Sequence, residues 1–340
     1  AFVTGCEGPA GPQGPAGTNG TDGLDGVNGV DANETCKVCH NDDTEVLVAK
    51  SDQFNEGKHS EGTRYDRDGE CAACHNTEGF LARAGFTDEW TEIGTFTGAE
   101  SAISCYTCHS IHQAYDADDW GLTYASQVTK TFFGQKSPDY EPISFKDYGS
   151  TNQCLQCHQA RDRGDVPGPQ ATAGLTISSS HWGPHYGIQG NVLHSSGGVN
   201  LAGTETYPEV GLGHAGAIAD VSCMDCHMYE GNHNLEVSFN SCATCHTDAD
   251  WDDQVEAFQD AVHADLLALG ALLESQGMMT AEVEDGETVG YSPKSGAVAT
   301  AAQAQGVYNY MVVYQDHSDG VHNPKYIKAL LKNSIDANTP

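Results

Sequence analysis

The sequence predicts a mainly α-helical and coil fold with little β structure, wrapped around bound groups instead of built in layers, and preceded by a collagen-like segment of polyproline type. Three observations predict it. From Cys36 to His246 the chain is rich in Gly, Asp, Ser and Thr and has few sustained helical or strand periodicities, which reads as short helices joined by long loops. Beyond that stretch Val255, Phe258, Val262, Leu266, Leu269 and Leu273 recur at spacings of three and four, so residues 252–276 are expected to form one amphipathic helix. From Gly5 to Gly29 glycine occupies every third position.

The glycine repeat defines a first unit, residues 1–31. Only glycine fits the crowded axis of three packed polyproline-type strands, so strict triplet spacing signals association more than glycine richness alone would. Pro9, Pro12 and Pro15 support it, although nine triplets with three prolines need further packing to hold a trimer. Val3-Thr4-Gly5-Cys6 is similar to a bacterial lipobox. Residues 1–5 precede Cys6 here, whereas lipoprotein processing would remove them, so Cys6 is expected to be a free or intermolecularly paired thiol. Residues 32–250 form the second expected unit and residues 251–340 a third, a helical region packing on it. In the third unit two more helices are expected, one over 297–315 and one from Pro324, a proline suited to the first helical position, through Leu331.

The formal net charge of −33, from 48 acidic against 15 basic residues, excludes nucleic acid and anionic membrane surfaces as natural partners, because phosphates would be repelled. It suits solubility, with attraction to cationic partners or mineral surfaces as the second explanation. No stretch reaches the roughly 18 apolar residues that a membrane span needs; the best run, Leu266–Leu273, is far shorter.

Twelve of the 13 cysteines fall into one motif, Cys-x-x-Cys-His, repeated six times. The copies are Cys36, Cys39 and His40; Cys71, Cys74 and His75; Cys105, Cys108 and His109; Cys154, Cys157 and His158; Cys223, Cys226 and His227; and Cys242, Cys245 and His246. The spacing has a chemical purpose. Two thiols add across the two vinyl groups of a porphyrin, and the histidine that follows is placed under the iron as its proximal ligand. Zinc knuckles also pair such cysteines, but four-thiolate sites have no need of a histidine after every second cysteine. A thioredoxin-like motif would be single and lie in a βαβ setting, and disulfides would not require the histidines. Six covalent haem c groups are therefore expected, and their macrocycles would supply apolar mass that the loop-rich middle of the chain lacks. Haem c attachment in bacteria follows export, so a removed signal peptide is expected, with an extracellular, cell-surface or periplasmic location.

Ten histidines remain, and six would complete bis-histidine ligation. His59 is the candidate between the first two motifs. His112 lies too close to His109 to reach the far face of the same haem, so it is assigned to a neighbour. His214 precedes the fifth motif and His233 follows it, both placed for adjacent haems. His185 lies in the turn-rich Gly183-Pro184-His185-Tyr186-Gly187, with His181 its competitor. His322 sits just before the last helix and would tie that region to the haems. His194, His263 and His317 are spares.

The six motifs, the segment Ser180–Gly198, Cys226-His227-Met228 and Gly320-Val321-His322-Asn323-Pro324-Lys325-Tyr326 resemble bacterial multihaem cytochromes of respiratory electron transfer. The resemblance spans about residues 36–335. It implies distal ligation by His185, His214, His233 and His322, and it implies export. Some hexahaem members of the wider group polymerise into extracellular filaments, in which an early histidine can ligate a haem of the neighbouring subunit. Here no histidine precedes His40, so a filament contact would be built differently. The partners implied are copies of the chain itself and redox partner cytochromes or an extracellular acceptor. Catalytic relatives such as nitrite reductases keep one haem open and often place lysine where the motif has histidine, which none of these motifs does. An electron conduit is thus expected, with a multihaem terminal reductase as the alternative.

Overall fold

The structure, a computed structural model, describes residues 45–62, 64–67, 71–82, 101–113, 119–129, 143–161, 168, 171–247 and 251–340. The collagen-like segment, Cys6 and the first motif, Cys36–His40, lie outside the described residues. The rest is mostly helix and coil with a few short strands.

Among the described residues, seven α-helices precede the last motif: α1 (Glu45–Glu56), α2 (Ala72–His75), α3 (Thr77–Ala82), α4 (Cys105–Cys108), α5 (Asn152–Leu155), α6 (Gln189–Leu193) and α7 (Cys223–His227). All but α1 are one or two turns long. Three longer helices follow: α8 (Trp251–Ser275), α9 (Ala301–Asp316) and α10 (Pro324–Asn338). The expected boundaries of α8 and α9 match to within a few residues. Along α8 the stripe Val262, Leu266, Leu269 and Leu273 is buried, and Gly270 lies so close under Tyr291 that a Cβ there would stand 2.1 Å from the ring. α9 is buried on nearly every side from Ala304 to Val313, which makes it the central helix of the region. Its start is fixed by a capping box in which the Thr300 hydroxyl accepts from the Gln303 amide and the Gln303 side chain accepts from the Thr300 amide.

α10 runs two turns past the expected end at Leu331. The apolar stripe stops there, but the polar residues beyond it are buried and paired. The Asn333 amide donates to Glu205 O at 2.9 Å, Asn309 donates to the Ser334 hydroxyl at 3.0 Å, and Asn338 donates to Ala302 O at 3.1 Å. Apolar periodicity therefore underestimates a helix whose last turns are held by hydrogen bonds.

A hairpin, β2 (Met279–Glu284) paired antiparallel with β3 (Glu287–Pro293), joins α8 to α9, where no strands were expected. Its turn is Asp285-Gly286, both at positive φ, the residue pair favoured by tight hairpin turns whose twist matches the strands. A second, two-residue ladder pairs β1 (Leu175–Thr176) with β4 (Val298–Ala299). Through it the segment 175–201 joins the C-terminal helices. Ile177, Trp182, Ile188, Val192 and Val199 share one hydrophobic core with Leu269, Leu273, Tyr308, Val312, Ile327 and Leu330. That core draws its side chains from both regions of the chain.

Candidate haem sites

In three of the described motifs a single helical turn brings the chemistry onto one face. Positions i, i+3 and i+4 of a helix project together, so two cysteines and the following histidine face the same way. The turn is closed by the histidine's own amide, which donates to the carbonyl of the first cysteine at 2.8 Å in His109, 2.9 Å in His158 and 2.8 Å in His246. Ser104 starts the first of these turns with a capping box, and Ser222 does the same for the helical turn of the fifth motif, Cys223–His227. No disulfide is formed among the ten described motif cysteines. Among the described residues, no three His, Cys, Asp or Glu side chains converge as a zinc site needs.

Each of the five described motif histidines faces one other histidine, and no partner is shared. His75 faces His185 with ring centres 6.0 Å apart, His109 faces His233 at 6.3 Å, and His158 faces His59 at 5.9 Å. His227 faces His322 and His246 faces His214, both at 6.2 Å. Two metal–nitrogen bonds of about 2.0 Å, plus about 1.1 Å from nitrogen to ring centre on each side, give roughly 6.2 Å for two imidazoles across one iron.

The second ring nitrogen is engaged in six of these rings. Nδ1 bonds Trp120 O in His109 (2.8 Å), Gln189 Oε1 in His158 (3.0 Å), Leu235 O in His227 (2.8 Å), Val321 O in His214 (2.5 Å) and Gly231 O in His233 (2.9 Å). In His322 it bonds the Asp316 carboxylate at 2.8 Å. Each acceptor keeps the proton on Nδ1 and leaves Nε2 with its lone pair, the form a metal ligand requires. The residues present therefore fit haem c. Sequence reasoning did not find these second partners, since backbone carbonyls carry no sequence signal.

A model of the class III cytochrome c family matches residues 195–269, which hold the fifth and sixth motifs with His214 and His233. Among solved structures the chain is similar to one described as "Crystal Structure of Outer Cell Wall Cytochrome OcwA", with a TM-score of 0.51 and 18% identity over 84% of this chain. No curated protein matches. The fold is similar to that of this outer cell wall cytochrome, and residues 195–269 resemble the class III cytochrome c family. The present chain spans 50% of the length of that structure's chain.

The five described motifs form a contiguous network. The thiols of Cys154 and Cys223 lie close enough to perturb one another, which sets the fourth motif against the fifth. Ser238 of the sixth-motif turn donates to Cys226 O at 3.4 Å. The second and third motifs meet through Thr77 and Thr107, whose hydroxyls lie 2.8 Å apart, and the third and fourth through Gln153, which donates to Thr107 O at 3.4 Å. The Cys157 thiol of the fourth reaches Ala73 O of the second at 4.0 Å.

Burial keeps several of these rings neutral. It pulls His59 down to about 4, with the nearby His158 and His227 adding to the effect, and it lowers His158, His227 and His233 as well. His322 behaves oppositely. Burial opposes its charged form, but the Asp316 charge and hydrogen bond outweigh burial and raise its pKa.

The other histidines are placed differently. His112 is exposed, with φ of 60° and its Nδ1 3.0 Å from the Tyr106 hydroxyl, and it faces none of the described motif histidines. His194 is buried against Phe145, and its Nε2 accepts from the Lys146 amide at 3.2 Å, so the ligating nitrogen is already used. His181 and His263 are exposed, and His317 ends α9 at positive φ with its ring parallel to Tyr186.

Proposed function

We propose that the chain binds six haem c groups and passes electrons along them. The thioether cysteines and proximal histidines would be those of the six motifs. The distal ligands would be His185 opposite His75, His233 opposite His109, His59 opposite His158, His322 opposite His227 and His214 opposite His246. The observation that carries this reading is the set of five unshared histidine pairs at the separation of two axial ligands. His112, the one of the six distal candidates named from the sequence that faces none of the described motif histidines, would serve the first motif. When bound, each haem would supply reversible one-electron chemistry at iron. The protein's own groups hold the imidazoles in one tautomer through Nδ1 and bring neighbouring motifs within contact, and the paired histidines would ligate the iron so that substrate is kept from it.

The acidic charge and the likeness to a structure described as an outer cell wall cytochrome support an extracellular or cell-surface location. The Gly-X-Y repeat supports self-association into a filament, with the repeat contributing to the contact between copies. The test is an intact mass under denaturing conditions, with spin state measured on the native protein. The expected mass exceeds the polypeptide by six haems, all low-spin. A mass matching the bare chain ends the haem reading, and a high-spin fraction that binds nitrite or cyanide would favour a terminal reductase instead. Sedimentation and electron microscopy of the full chain test assembly; a monomer at high concentration would defeat the filament.

A further inference from the structure

The axial rings differ in what their Nδ1 atoms meet. Of the six whose partner is defined above, five bond neutral oxygens: four backbone carbonyls and the Gln189 amide. His322 alone in that set bonds a carboxylate, Asp316 Oδ1 at 2.8 Å. Asp316 is only 1% exposed, ends α9, and takes a second hydrogen bond from the Ser318 hydroxyl on Oδ2. A carboxylate in that setting is desolvated and paired, so its field reaches the ring little screened. Hydrogen bonding of Nδ1–H to a carboxylate draws the proton away and makes the imidazole a stronger electron donor than a carbonyl does. Stronger donation, with a fixed negative charge nearby, stabilises ferric over ferrous iron.

We propose that Asp316 acts as a positioning residue that lowers the reduction potential of the haem held by His227 and His322, making it the lowest among the sites whose axial-ring partners are defined here. This rests on the haem reading above. The adjoining fourth site supplies the contrast. His158 Nδ1 bonds Gln189 Oε1, and the same amide donates to the carbonyls of Gln315 and Asp316 at 3.2 and 3.4 Å. Two neighbouring motifs thus lean on the same end of α9, one through a neutral amide and one through a buried charge. The pair is thereby biased, with the electron favoured on the fourth site over the fifth.

The experiment is a spectroelectrochemical titration of the full-length holoprotein beside its Asp316→Asn and Asp316→Glu variants, with EPR of samples poised along the titration. In native protein, the haem with the strongest axial field should be among the last to be reduced. In Asp316→Asn the lowest potential should rise by about tenfold in the one-electron equilibrium, about 59 mV, while the others move less. Asp316→Glu should restore most of the native value, which mere filling of space would not do. Six low-spin haems of which the one with the strongest axial field is reduced early would overturn the proposal, and so would an Asp316→Asn titration that superposes on the native one. If the asparagine variant fails to fold, the native EPR series still decides. Absence of covalent haem would defeat the haem reading itself, a result distinguishable from either.

Discussion

Replacing Asn323 with alanine should cost about 3 kcal/mol of stability and release His322 from its place. Asn323 is 1% exposed and makes bonds at both ends of its amide. Oδ1 accepts from the Tyr326 amide at 3.2 Å and caps α10, an interaction whose loss costs about 1 kcal/mol. Nδ2 donates to the Ser195 hydroxyl at 2.9 Å, Leu212 O at 3.0 Å and Val192 O at 3.2 Å. Two protons can satisfy about two of these acceptors at once. Val192 O also accepts from the Ser195 amide and Leu212 O from the Ser195 hydroxyl, so each would be left partly paired. The low end of the penalty applies, about 1 kcal/mol each. Against a net stability of about 5–15 kcal/mol the total is large. Guanidinium unfolding followed by far-ultraviolet circular dichroism reads it, and Asn323→Ser should recover about 1 kcal/mol because serine still caps. In the alanine variant, fraying at the start of α10 should also produce a high-spin fraction from the site of His227 and His322. An alanine variant within about 0.5 kcal/mol of native, or a serine variant no better than alanine, would refute this account.

Two further perturbations test the packing around the sites. His194, whose pKa is held near about 4 by burial first and the Lys146 charge second, should make stability pH-dependent. Its folded pKa lies below the unfolded value, so the unfolded chain binds the extra proton and stability falls as pH drops from about 6.5 toward about 4, by at most about 3 kcal/mol. His194→Gln, which keeps an acceptor for the Lys146 amide without titrating, should flatten that part of a denaturation series across pH; an unchanged slope would rule His194 out as its source. Gly190→Ala should destabilise by about 2 kcal/mol and perturb the fourth site, because the added Cβ would stand 2.4 Å from His158 O and 2.5 Å from Leu155 Cδ2. Backbone cannot yield as a flexible side chain does, so the helix-propensity gain of up to about 1 kcal/mol does not offset it; a variant more stable than native would contradict the contact.

Much of the architecture is legible in the sequence where the interactions are local. A Cys-x-x-Cys-His run within one helical turn needs only its own backbone to put two thiols and an imidazole on one face. The stripe from Val255 to Leu273 announces α8 because a helix that buries one face must repeat at its own period. The hairpin has a readable signal too, Asp285-Gly286 between Val283 and Val289.

By itself, then, the sequence determined the Cys-x-x-Cys-His motifs, the long C-terminal helices and the pool of histidines from which their partners are drawn. Only the tertiary structure decided which histidine faces which. His233, six residues beyond His227, turns to His109; His214, nine residues before Cys223, turns to His246; and His227 meets His322 from the far end of the chain. The carboxylate behind His322 belongs to the same class of fact, since Asp316 is one of 48 acidic residues and nothing in its neighbours marks it. The physical reason is that a facing histidine pair is closed by two segments whose separation in sequence is unconstrained. Their meeting depends on how the loops fold around α9 and α10, and no periodicity records that.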